Sequence, residues 1–140
     1  MLNRTIALKI NRWILALAGV IDFIRGYLHT FKVRYAAVEK AGIEPTSDSL
    51  VLMSAFGMSN FLTAFLFFLI LWKAPKLAPY VLLIIPVSYF LGSTGMRMQQ
   101  VTMESPFVGQ YMMRIYLTVC LISALLFFWS RNKSATVVNP

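Results

Sequence analysis

Four apolar runs decide what this chain can become. They cover about 13–31, 50–72, 79–95 and 107–129, and each approaches the roughly 20 residues an α-helix needs to cross a hydrocarbon layer about 30 Å thick. With 59% apolar residues in 140 and a mean hydropathy of +0.70, the chain is more apolar than a soluble domain of this size. The expected fold class is all-α, a four-helix transmembrane bundle. A basic amphipathic flank over 1–12 precedes it, the bundle occupies 13–130, and 131–140 reads as a disordered tail.

The flanks bracket the spans. Arg4, Lys9 and Arg12 precede the first. Trp13 to Ala18 falls short of a signal-peptide apolar region of about 7–15 residues, so this segment reads as retained. Lys73-Ala74-Pro75-Lys76 ends the second. Pro79 suits the first turn of the third, and Pro86 near its middle predicts a kink. The fourth begins near Pro106-Phe107. Only the connection from Lys32 to Ser49 is long, and Gly42 to Asp48 reads as a turn followed by an N-cap.

Charge gives the orientation. The N-terminal flank, the second connection and the tail hold seven basic residues and no acid, against four basic residues and every acid except Asp22 on the other side. Both termini are therefore expected in the cytoplasm, where Trp13, Trp72 and Trp129 also fall. A net charge of +8 concentrated at the span ends calls for anionic headgroups, with no nucleic-acid partner. One cysteine, Cys120, and one histidine leave too few ligands for a structural zinc site, so no metal is expected. Cys120 reads as a small residue at a helix interface.

The segment that breaks the apolar pattern is Asp22-x-x-Arg25-Gly26-x-x-His29. Charges in hydrocarbon are either paired inside a bundle or line a wet cavity. Asp22 lies roughly 13–14 Å along the helix from Trp13, near mid-membrane. Gly19, Asp22, Gly26 and His29 share one stripe, with Arg25 beside Asp22 and His29. Depth alone also brings Asn60 and Arg114 to this layer, and Ala55, Ser59 and Thr63 give the second segment a small-residue face for close approach. The expected cluster is Asp22, Arg25, His29, Asn60 and Arg114, net positive by one charge, with Arg97, Gln110 and Tyr111 at its periphery.

Three readings compete for this cluster. Asp22 pairs with an arginine to fix helix register while the other arginine reaches out to phosphate. Alternatively, Arg25 and Arg114 donate to a small anionic or polar-headed ligand such as a quinone, a lipid headgroup or a carboxylate, with His29, which ionises near neutral pH, at the mouth. Proton-coupled transport through Asp22 fits least, because Arg25 stands beside it as a fixed counter-charge. A structural or accessory subunit of a larger membrane complex, or a homo-oligomer, is the alternative to ligand binding. No serine elbow, phosphate loop or histidine cluster points to catalysis. Gly92-x-x-Gly95 before Arg97 reads as a helix end, and Tyr111 and Tyr116 as packing aromatics.

Length, four-helix layout and the polar outer half of the first segment, Gly19-x-x-Asp22-x-x-Arg25-Gly26, resemble the small four-span bacterial inner-membrane proteins grouped as DoxX-like. The resemblance implies the layout and a bacterial plasma-membrane location. Such families are associated by analogy with quinone-linked or redox accessory roles, while quinone or lipid as the candidate cofactor comes from the ligand reading of Arg25 and Arg114 above. A single cysteine and the lack of a cofactor motif depart from an ordinary redox protein, so only the layout is carried over.

Overall fold

The computed structural model describes residues 3–101 and 109–135, with side chains as far as Ser130. Every regular element among them is helical. Helix α1 (Arg4–Phe31) starts on Asn3, whose side-chain oxygen accepts from the Thr5 amide at 3.1 Å. The stretch expected to be a separate basic flank is thus mostly the opening of the first helix, which at 1.5 Å per residue is about 42 Å long. Beyond Lys32 the chain stays helical through α2 (Val33–Tyr35) and a π-helical stretch, Ala36–Ala41. Burial of Ala36 and Ala37 anchors this extension. Gly42 ends it at φ +63°, where a side chain would be strained.

Helix α3 (Ser47–Lys73) is capped as its sequence predicts: Thr46 Oγ1 accepts from the Ser49 amide at 3.2 Å. A 3-10 turn, Pro75–Leu77, leads into α4 (Ala78–Met98), which carries Pro86 inside it. Helix α5 (Gly109–Ala135) continues into the expected tail. Pro106, Phe107 and 136–140 lie outside the described residues.

Among the described residues three helices, where four are expected, are long and apolar enough to cross a membrane: Ser47–Lys73, Pro75–Met98 and Gly109–Ser130. Their apolar outer surfaces suit a lipid bilayer. Helix α1 is not in this group, and it is the one long helix that carries an acidic side chain among its buried residues, Asp22.

Helix α1 contacts α3, α4 and α5. Its buried residues Ala7, Asn11, Leu15, Ala18 and Asp22 recur at three and four residues, forming a continuous inner stripe. Leu15 and Ala18 meet Phe67 of α3, Ala78, Leu82 and Ile85 of α4, and Cys120 and Ala124 of α5 in one apolar core. The position of Cys120 is the interface one that its size predicts. All the buried residues of α4 precede Pro86, and none of 87–101 is buried. The bundle therefore closes at the end that holds the start of α4, while at the other end α4 leaves the core and α1 stays packed on α3.

Helices α1 and α3 cross at glycine. A Cβ on Gly57 would collide with Thr30 Oγ1 and lie 2.9 Å from His29 Cβ, and one on Gly26 would lie 2.9 Å from the Phe61 ring and 3.2 Å from the Gly57 carbonyl. The inward face of α3 is Gly57, Asn60, Ala64 and Phe67. Ala55 and Ser59, expected on that face, are exposed. The glycine face wins because two backbones approach more closely where both lack a side chain.

Candidate functional site

Asp22 is 5% exposed. Burying a carboxylate in a helix bundle is costly unless a cation or donor compensates it. Arg25, one turn on, supplies Nη1 at 3.8 Å from Asp22 Oδ1, with its own side chain 25% exposed. The guanidinium also stands 5.5 Å from the Phe56 ring of α3, a distance suited to cation–π attraction. His29 packs on the same ring at 5.4 Å between centroids. Asn60 Nδ2 lies 3.3 Å from His29 Nδ1. Read as an amide donating to that nitrogen, this contact leaves the ring proton on Nε2. Two polar pairs thus follow each other along α1, Asp22–Arg25 and then His29–Asn60, with Phe56 shared between them.

The other expected members are elsewhere. Arg114 is exposed, its guanidinium 5.8 Å from the ring of Tyr111 on its own helix. It precedes the buried Cys120 by six residues, which at 3.6 residues per turn places it about 120° around α5. Depth brought Arg114 to the right level, but rotation turns it away. Arg97 is exposed in the last turn of α4, Tyr111 is exposed and Gln110 half-buried. Without Arg114 the charges of Asp22 and Arg25 cancel, so the expected net-positive site is a neutral pair with an adjoining histidine.

On α5 the residues turned inward are Tyr116 and Cys120, which the sequence gives as a packing aromatic and a helix-interface residue, and both belong to the apolar core or pack against it. The polar side chains that the structure brings together are those of α1 and α3. The signal was present in the spacing: Tyr116, Cys120, Ser123 and Ala124 follow one another at helical intervals ahead of Phe127, and four of those five are buried. Below Asp22, an apolar groove of about 230 Å³ runs between α1 and α5, with Tyr116 and Cys120 in its wall.

A second buried polar contact lies toward the closed end. Asn11, fully buried, donates through Nδ2 to the carbonyls of Ala7 at 2.8 Å and Ser123 at 3.0 Å. Nearby, Arg12 Nε donates to the Pro75 carbonyl at 3.4 Å, joining α1 to the α3–α4 turn. Among the described residues no three of the His, Cys, Asp and Glu side chains converge. What the arrangement offers is an ion pair and a histidine–amide pair on the α3 side of α1, and a hydrocarbon-lined groove on its α5 side. Compared with known proteins, the chain matches no family model, no curated protein and no solved structure.

Proposed function

We propose that this chain is a four-span integral membrane protein of the bacterial plasma membrane, with both termini cytoplasmic, that binds a small polar-headed ligand at Asp22 and Arg25. In this reading α1 is the fourth span, its polar side turned toward α3 and α5 and its apolar side, with Leu17, Val20 and Ile24 exposed, toward lipid. The basic excess at the closed end supports cytoplasmic termini. The DoxX-like layout supports the membrane assigned.

The observation that carries the ligand reading is the position of Asp22, buried beside Arg25 and next in sequence to Ile21, which lines an open apolar groove. An ion pair that served only to hold helices together would be best enclosed by packed side chains. Here the arginine of the pair is 25% exposed, which leaves it accessible to a polar group from outside the bundle. Quinones and lipids fit the class, since both join a polar head to an apolar tail.

Native mass spectrometry of the full chain from gentle detergent tests this reading. A retained small amphiphile, lost in Asp22→Asn, supports it; an empty monomer for both proteins counts against it. A second reading, an accessory subunit or homo-oligomer, draws on α4 beyond Pro86. Gly92 and Gly95 there have no atom within 4 Å of an added Cβ, and small residues facing lipid suit helix association. A retained second chain in the same spectra would favour it.

A further inference from the structure

We infer that the closed end of the bundle carries a site for an anionic phospholipid, whose phosphate is held by Arg12 of α1 and by Lys73 and Lys76 at the α3–α4 turn. The site goes beyond the ligand reading above, since Arg12 stands about 15 Å along α1 from Asp22. Positive charge is not shared evenly by the two ends. Lys32, Arg34 and Lys40 share theirs with Glu39, Glu44 and Asp48. At the closed end Arg4, Lys9, Arg12, Lys73 and Lys76 pair with no carboxylate among the described residues, and the nearest acid along α1 is Asp22. That separation exceeds the screening length of about 8 Å at physiological salt. The counter-charge therefore comes from outside the described residues.

Geometry gathers three of these groups at one corner. Arg12 is half-buried, and the bond from its Nε to the Pro75 carbonyl sets the guanidinium against the turn between Lys73 and Lys76. Its two Nη groups have no hydrogen bond or ion pair among the described residues. Two N–H donors from one planar guanidinium match two phosphate oxygens, and each lysine adds a point charge. Lys76 is exposed directly after Pro75, and Lys73 Nζ stands 3.7 Å from the centre of the Trp72 ring. Depth agrees with a headgroup. Trp13 and Trp72, both exposed, adjoin Arg12 and Lys73, and exposed indoles on membrane helices settle in the headgroup layer. Leu69, one turn before Lys73, is exposed as well and offers an acyl chain apolar surface below the phosphate. The other basic groups of this end point elsewhere. Arg4 stands over the Phe127 ring of α5, and Lys9 lies about 160° around α1 from the buried Asn11, facing away from the bundle.

The test titrates the full chain in dodecyl maltoside micelles with phosphatidylglycerol, or with phosphatidylcholine of the same acyl chains, and native mass spectra count the lipid retained per chain. Phosphatidylglycerol is expected to bind at least about tenfold more tightly than phosphatidylcholine. Arg12→Gln and Lys76→Gln should each weaken it about fivefold. Arg12→Lys keeps the charge but loses the fork, so it should weaken binding about as much as Arg12→Gln, whereas Lys9→Gln should stay within about twofold. Lys76→Gln, at an exposed turn position, keeps the test decisive should the Arg12 variants not fold. Asp22→Asn should leave phosphatidylglycerol binding unchanged, so this site and the ligand reading at Asp22 stand or fall separately. Equal retention of the two lipids would overturn the site, as would a loss in Lys9→Gln equal to that in Lys76→Gln. Displacement of phosphatidylglycerol by an equal concentration of inorganic phosphate would assign the site to a free anion and overturn the lipid.

Discussion

The side-chain amide of Asn11 donates to the main-chain carbonyl of Ser123 at 3.0 Å, a bond between residues 112 positions apart that fixes the register of α1 against α5. Asn11 Oδ1 and Ser123 Oγ are both buried beside it without a partner among the described residues. Asn11→Ala should lower the unfolding free energy by about 1 kcal/mol, within the span measured for hydrogen bonds between membrane helices. Asn11→Asp should cost more, since it sets a carboxylate against two carbonyl oxygens. Reversible unfolding in mixed micelles measures both, and equal stability of Asn11→Asp and the parent chain would show that α1 and α5 do not meet here.

Gly57 is where α3 cannot carry a side chain. Even alanine would press on His29 and Thr30, so Gly57→Ala should destabilise by about 1–3 kcal/mol, the usual cost of overpacking. Gly92→Ala, in open space by the same criterion, should stay within about 0.5 kcal/mol in the monomer. A reversed order in thermal unfolding would contradict the crossing.

The contact between His29 and Asn60 makes a spectroscopic prediction. With Nδ1 accepting from the Asn60 amide, neutral His29 should be the Nε2–H tautomer in nitrogen-15 NMR spectra of the ring. Asn60→Ala should let the other tautomer appear. A dominant Nδ1–H tautomer in the parent chain would reverse the bond, with Nδ1 donating to the Asn60 side-chain oxygen, and overturn this assignment.

Some of this was legible in the sequence and some was not, for reasons that particular residues make plain. Asp22 and Arg25 are one helical turn apart, so any helix through them brings them together. Thr46 caps α3 through local geometry alone. Arg114 is different: hydropathy gives its depth, whereas its rotation depends on which side of α5 packs. That side was marked by the small residues Cys120, Ser123 and Ala124, to which Arg114 does not belong. On α3 two small-residue faces competed, Ala55-Ser59-Thr63 and Gly57-Asn60-Ala64, and only the close approach of two backbones at Gly26 and Gly57 decides between them. Asn11 sat among basic residues and read as part of a solvated flank, although its spacing from Ala7 and Leu15 continues the inner stripe.

Because Arg114 faces outward with Tyr111 as its neighbour, Arg114→Leu should leave both the unfolding free energy and the retention of a bound amphiphile nearly unchanged, within about 0.5 kcal/mol for stability. Calorimetric unfolding and native mass spectrometry check this together. Loss of binding with the fold retained would return Arg114 to the site.

Two double-mutant cycles measured side by side in the same detergent bear most directly on the pairing of Asp22: Asp22→Asn with Arg25→Gln, and Asp22→Asn with Arg114→Gln. The geometry predicts a favourable coupling of about 0.5–3 kcal/mol in unfolding free energy for the first cycle and additivity within roughly 0.3–0.5 kcal/mol for the second. Coupling to Arg114 with none to Arg25 would contradict it.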